Sequence, residues 1–369
     1  MTNKPLTMIT GGDIILGPDT DSFFASIEPV LKSADILVGH LEVPFTKDQP
    51  RAAELGREPD NMRILSKMGF DALTLAHNHL WDVGIPGISD TIAWLRDHNI
   101  AAVGAGMNIR EARTPVVVER EGTRFGFLSY NCVGPRETWA AAERPGCAYV
   151  NILTHYELDY ASPGGPPEIY TFPQPNSLKA MEGDIRQLRP QCDILVVSLH
   201  KGLVHMPVSL AQYEQTVSYA AIDAGADLIL GHHAHILKGI EVYKGKVIFH
   251  SLGNFITWLP MLALKPGQDP DSWARRRIKI FGFVPDPDYP TYPFHPEAVN
   301  TLIAKLIIKN NAISRISYIP CLVNKQGYPE VMKHDEKGQQ VYDYMEKITQ
   351  KAELNGQFKW DRDEVMIQI

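Results

Sequence analysis

The chain has no Cys-x-x-Cys pair, no internal repeat, no long apolar run and no excess of positive charge. Each lack removes a class of protein. The four cysteines, Cys132, Cys147, Cys192 and Cys321, are scattered, which argues against a disulfide scaffold or a thiolate zinc site. Free thiols in a reducing cytoplasm are the expectation. No stretch approaches the roughly 20 apolar residues that a membrane-spanning helix needs. The N-terminus enters a strand-like segment almost at once, so neither a signal peptide nor an anchor is expected. A net charge of −7 speaks against a general nucleic-acid or membrane-surface binder, which would present a basic face. It leaves room for a local basic pocket and an anionic substrate. What is present, 44% hydrophobic and 21% charged residues over 369 positions, is the composition of a globular enzyme with a large core.

Short β-rich runs alternate with helical patterns over the first 130 or so residues. Strands are predicted at 6–15, 36–41, 72–76 and 101–103, with helices at 21–32, 62–68 and 85–98. Such alternation implies a largely parallel sheet with helical crossovers. A hairpin at Glu121-Gly122 turns the pattern mixed. After an irregular segment at 131–176, order returns with helices at 177–188 and 208–224 and strands at 193–199 and 227–230. Two more hairpins follow, at Lys244-Gly245 and Asn310-Asn311, on either side of a second irregular segment at 257–298. The reading is one domain over 1–330 with these two insertions, followed at 331–369 by a C-terminal helix and a polar tail.

The densest chemistry is Gly231-His232-His233-Ala234-His235-Ile236, at the end of an apolar run. Alternate residues of a strand share a face, so His233 and His235 could point at one metal together. Other polar residues fall at strand ends as well: Asp13, Glu42, Asn78 with His79, and His200. In open α/β sheets, chemistry collects beyond the carboxyl ends of the strands. Asp, Glu, Asn and His together make an oxygen and nitrogen site suited to divalent ions.

These segments also carry a resemblance. The chain resembles the CapA family of poly-γ-glutamate and capsule-synthesis proteins, related to calcineurin-like metallophosphatases. The matching motifs are Gly12-Asp13, His40-Leu41-Glu42, His77-Asn78-His79 with Asp82 and Gly84, His200-x-Gly202, Gly231 to His235, and Ser251-Leu252-Gly253-Asn254. They keep the family's order over roughly residues 8–256. The resemblance implies a four-layer αββα sandwich of two mixed β-sheets around a dinuclear site. Asp13 and His235 would hold one ion, Asn78, His200 and His233 the other, and Glu42 would bridge them. His79 would be the acid beside the site, oriented by Asp82 or His77. His232 would stand behind the ligands, although the phasing that makes His232 the ligand stays open. The two divalent ions could be Mn, Fe, Zn or Mg.

Two departures from the family pattern matter, the first to how one ion is held and the second to the substrate. The phosphatase Asp-x-His pattern is absent at Asp13, where Ile14 and Ile15 follow. Lys201 stands where the family has Trp after its histidine, and His205 replaces an acidic-aromatic continuation. Lys201, His205, Asn254 and Arg275, the last from the run Arg275-Arg276-Arg277, are the candidate contacts to a small-molecule or peptide substrate. Three outcomes fit: a hydrolase of phosphoesters or glutamyl amides, an epimerase or lyase working through a carbanion, and a non-enzymatic capsule-assembly protein.

Overall fold

A computed structural model describes residues 4–157 and 167–369; residues 158–166, within the first irregular segment, lie outside the described residues. Two mixed sheets form the frame. The larger, ten-stranded sheet runs in the order 357–361, 364–368, 312–323, 300–309, 6–15, 36–41, 72–74 and 101–103, with Asn254–Thr257 and Pro329–Val331 paired off that path. The six-stranded sheet runs 237–243, 246–252, 228–232, 194–200, 123–131 and 116–120. Its four middle strands are parallel, as are strands 6–15, 36–41, 72–74 and 101–103 of the larger sheet.

Strand alternation divides the core into three layers. Met8, Ile36, Val38 and Leu306 of the larger sheet share one buried cluster with Phe127, Val196, Leu230 and Phe249 of the smaller. Their neighbours Ile9, Leu37 and Leu73 point the other way, into a second cluster with Leu65 and Ile88 from the helices Arg63–Met68 and Gly84–Asp97. Leu128, Val197 and Ile229 likewise pack beneath the helices Pro175–Leu188 and Gln212–Ala224. The result is the expected αββα sandwich, in which each fully buried Leu, Ile or Phe contributes about 1.5–3 kcal/mol.

Elements with strong local signals stand where the sequence puts them. Strands Leu6–Ile15, Ile36–Leu41 and Ala101–Val103 carry the expected bounds. The hairpin turns at Glu121-Gly122, Lys244-Gly245 and Asn310-Asn311 all take positive φ at both residues, the backbone that matches strand twist.

Four readings need correction. The helix expected at 21–32 is a 3-10 turn, Thr20–Phe24, and a short helix, Glu28–Leu31. Pro29 is the reason, since its ring would clash with the carbonyl of Ala25 in a continuous helix. The segment at 131–176 contains an antiparallel ribbon, Ile152–Glu157 with Glu168–Pro173. The segment at 257–298 contains a helix, Pro270–Phe281, whose start is capped by the Asp269 carboxylate accepting from the Ser272 N–H and whose end is Gly282 at φ 80°. The polar tail is a hairpin, Gln357–Asp361 with Glu364–Gln368, on the edge of the larger sheet.

The strand Lys246–Leu252 belongs to the smaller sheet, and Asn254–Thr257 to the larger. The chain changes sheets at Gly253, at φ 68°. A Cβ on Gly12 would lie 2.0 Å from the Gly253 carbonyl oxygen, so only glycine lets these backbones meet. Their contact draws the end of the first strand against the histidine-rich loop.

Candidate metal centre

Asp13 follows an irregularity in the first strand and pairs in register with both His40 and Asn254. Glu42 lies just past the second strand, with its N–H donated to the Ile14 carbonyl at 2.9 Å. His200 and His232 are the last residues of adjacent parallel strands and pair with each other in register. His233 and His235 lie beyond that strand, in left-handed backbone at φ 89° and 53°. Strand alternation, the expected reason for their joint aim, is therefore not the actual one. Such backbone costs on the order of 1–3 kcal/mol per residue and persists only where surroundings hold it. Here the Asp13 Oδ2 accepts the His233 N–H at 3.3 Å, and the Ala234 carbonyl accepts the His205 N–H at 2.8 Å.

Three groups of side chains have potential ligand atoms within 4.8 Å of one another: Asp13, Glu42 and His235; Glu42, His200 and His233; and Asp13, His40 and His232. Glu42 links the first two. Its Oε1 lies 3.5 Å from His235 Nε2 and 3.6 Å from His200 Nε2. Asn78 Oδ1 lies 2.7 Å from the same His200 nitrogen. Neither Glu42 oxygen has a hydrogen-bond partner, although both are fully buried; His233 Nδ1 and His77 Nε2 share that condition. Burial and the facing Asp13 carboxylate push the Glu42 pKa well above the ordinary range. Burial raises Asp13 too, while it keeps His200 and His233 neutral by pushing both well below the usual histidine value. A buried carboxylate without donors is costly unless a cation completes it.

The remaining bonds orient these side chains. His232 Nδ1 meets Asp13 Oδ1 at 2.9 Å and stacks on His40 with ring centroids 4.2 Å apart. His40 bridges Thr74 Oγ1 at 2.8 Å and His200 Nδ1 at 3.0 Å, so the other His200 nitrogen faces Glu42. Asn254 Oδ1 holds His235 Nδ1 at 2.9 Å, which makes Asn254 a support for that ring and not a wall of the cavity. Asp82 Oδ2 holds His79 Nδ1 at 2.9 Å, while His77 Nδ1 accepts the His79 backbone N–H at 3.2 Å.

A cavity of about 390 Å³ opens on these groups, lined by Asn78, His79, Asp82, His205, His233 and His235 on its polar side and by residues such as Val204, Leu262, Phe281 and Phe294 on its apolar side. His205 lines it, in left-handed backbone, and burial pushes its pKa down to about 2. Lys201 does not. It follows His200 and points to the other face, where its buried ammonium meets Glu214 at 3.5 Å and His250 Nδ1 at 3.0 Å. Arg275 is also absent from the cavity; it is exposed and faces Asp269 at 3.7 Å. Two residues of the site carried no assigned role in the sequence. His40 had a usable signal, its place two residues before Glu42 at the end of a strand run. Arg57, which lines the cavity, lies in a loop with no pattern to mark it.

A two-sheet sandwich with carboxylates and histidines gathered at its strand ends is the class that fold and site define. Residues 7–258 match the family described as bacterial capsule synthesis protein PGA_cap, and the chain belongs to that family. It is 28% identical over 270 residues to the capsule biosynthesis protein CapA of Bacillus anthracis, covering 69% of this chain and 60% of that one. It is 30% identical over 260 residues to the PGA biosynthesis protein CapA of Bacillus subtilis, covering 66% and 61%. The chain thus spans about three fifths of the length of these curated relatives. Among solved structures it is similar to a phosphatase from Mycoplasma pneumoniae (12% identity, TM-score 0.48, 87% and 95% of the two chains). It is also similar to a calcineurin-like phosphoesterase from Bacillus subtilis (13%, TM-score 0.41, 95% and 98%). No helix among the described residues is long and apolar enough to cross a membrane.

Proposed function

We propose that this chain is a metal-dependent hydrolase whose centre holds two divalent cations, Mn, Fe, Zn or Mg. Glu42 carries the reading. Its two buried oxygens lack any hydrogen bond and lie between Asp13 and His235 on one side and His200 and His233 on the other. A carboxylate so placed fits a bridge between cations, and the surrounding donors are the oxygen and nitrogen ligands that divalent ions take. Asp13 and His235 would hold one cation; Asn78, His200 and His233 would hold its partner. Bound there, the cations would supply Lewis-acid polarisation of a phosphoryl or carbonyl oxygen and a more acidic water. His232, His40 and Asn254 fix the ligand side chains, as outer partners of metal sites do.

His79 is the proton carrier in this reading. It borders the cavity, it is partly exposed, and Asp82 orients its ring through Nδ1, which leaves Nε2 for a leaving-group oxygen. Phosphoester cleavage is the reaction the donor set favours. A glutamyl or amide substrate is the second reading, supported by the relatives whose names concern capsule and PGA biosynthesis. Service in capsule or poly-γ-glutamate metabolism is proposed on the same ground.

The test is turnover of p-nitrophenyl phosphate, a bis-phosphodiester and γ-glutamyl peptides by protein of known metal content. His79→Asn is expected to lower kcat about 10²–10⁴-fold with cation content unchanged. Full activity in that variant would remove His79 from its role. Turnover unaffected by chelation would remove the cations.

A further inference from the structure

We propose that Arg57 anchors an anionic group of the substrate, and that the apolar wall of the same cavity selects anions carrying an apolar arm. This rests on the cavity being the substrate site of the hydrolase proposed above.

Arg57 is built in, not draped over the surface. Its N–H is donated to the Ala52 carbonyl at 2.7 Å, and its carbonyl accepts the Thr46 N–H at 3.0 Å. Gly56 before it, at φ 67°, packs against Trp258 and permits the tight turn. The side chain is only 3% exposed, and Nη1 is tied to the Leu16 carbonyl at 2.5 Å. Nε is buried without a partner, and Arg57 makes no salt bridge among the described residues. Buried arginines are almost always paired. Asp82 and Glu42 are near enough to favour its charge, yet neither touches it; burial pushes its pKa down to about 10, which leaves the cation intact at neutral pH.

A guanidinium that lines a cavity with donors unused presents a planar fork, and that fork fits a carboxylate or a phosphate. Asn78, His79 and Asp82 border the same cavity, so an anion at Arg57 sits beside the reacting groups. The rest of the lining is unusual for a site meant for a small ion. Val43, Leu55, Val204, Leu259, Leu262 and Phe281 offer it no hydrogen bond. Inorganic phosphate would leave those side chains against water. An alkyl or other apolar substituent would cover them, and each methylene buried is worth about fourfold in affinity.

The experiment is a calorimetric titration of the full chain with inorganic phosphate, n-hexyl phosphate, acetate and hexanoate. It is run with added Mn²⁺ and again after chelation, with cation content measured on the same samples. Hexyl phosphate should bind at least tenfold tighter than phosphate, and hexanoate at least tenfold tighter than acetate. Whichever head group gains more from Arg57 identifies the anion. Arg57→Lys should weaken the hexyl ligands about tenfold, and Arg57→Gln further, in chelated protein as well. Leu262→Asn should remove the hexyl advantage and leave phosphate binding as it was. Equal affinity of phosphate and hexyl phosphate for the unaltered chain overturns the apolar selection, whether or not any variant folds. Undiminished binding to a folded Arg57→Lys overturns the anchor. Ligand binding that ignores Arg57, in protein that does take up cations, would leave the hydrolase standing and this inference fallen; Arg57-dependent binding by protein that takes up no cation even with Mn²⁺ added would do the reverse.

Discussion

Lys201, Glu214, Lys238, His250 and Glu241 are charged or polar groups sunk into the protein much as Asp13, Glu42, His200 and His233 are, but the two clusters close differently. Glu214 receives Lys201 at 3.5 Å, Lys238 at 3.1 Å and the Ala211 N–H at 2.9 Å. His250 uses both ring nitrogens, one on Lys201 and the other on Glu241 at 2.8 Å. Burial opposes its charge, yet Lys201 and Lys238 hold the Glu214 carboxyl below its ordinary range. Glu42 is the opposite case: neither of its oxygens makes a hydrogen bond, the ring nitrogens of His235 and His200 standing 3.5 and 3.6 Å away, and burial with Asp13 pushes it well up. One cluster is finished by the chain itself. The other leaves both Glu42 oxygens and His233 Nδ1 without hydrogen-bond partners. An equally polar interior can thus be a brace or a receptor, and the difference lies in which groups remain unpartnered.

The comparison breaks most sharply through stability. Lys201→Met strands Glu214 with one lysine and is expected to cost about 3–5 kcal/mol in denaturant unfolding, while cation content stays as it was. A loss of cations in folded Lys201→Met would join the two clusters into one. Chelation should act the other way round. For each site held at a hundredfold excess over its Kd, EDTA is expected to lower the unfolding free energy by about 2.7 kcal/mol, seen as a fall in Tm. No shift in Tm would mean that the carboxylate and histidine cluster needs nothing added.

A smaller effect tests orientation. His40→Phe keeps a ring but cuts the bonds to His200 and Thr74, and should weaken cation affinity about 10–100-fold in a competition titration. Unchanged affinity would make His40 mere packing. The last expected effect concerns pH. Burial pushes the His250 pKa down to about 4 from an ordinary 6.5. Between these values the unfolded chain holds a proton that the folded chain refuses. This stabilising contribution is therefore full above about pH 6.5 and is lost as pH falls toward about 4. Its slope is about 1.4 kcal/mol per pH unit, and His250→Gln should remove that component from urea unfolding measured across the window. An identical slope in the variant would assign the proton elsewhere.

The frame and the gathering of polar residues at one end of the sheets were readable because their signals are local. Strand runs end in polar residues at Asp13, Glu42, Asn78, His200 and His232, and a parallel sheet brings such ends together. Hairpin turns are marked by residues that tolerate positive φ, as at Asn310-Asn311. Misreadings arose where tertiary contact decides. Lys201 follows His200, and only the packed sheet reveals that the two face opposite ways, one to Glu42 and one to Glu214. The helix Pro270–Phe281 leaves Ile278 and Ile280 half exposed and buries Arg277, so its apolar spacing does not announce a core face. Its Asp269-Pro270 start and Gly282 end were the signals to use. Arg57 gives no warning at all, since a lone arginine in a loop is ordinary until its burial is known.

Direct metal analysis tests whether cations complete Glu42. Purified chain, loaded with Mn²⁺ and dialysed, is compared with Glu42→Gln by mass spectrometric metal counting. The account predicts two cations per unaltered chain and the loss of at least one in the variant, which should nonetheless fold at least as stably once both are stripped. Fewer than one cation per unaltered chain, or two retained by Glu42→Gln, would contradict it.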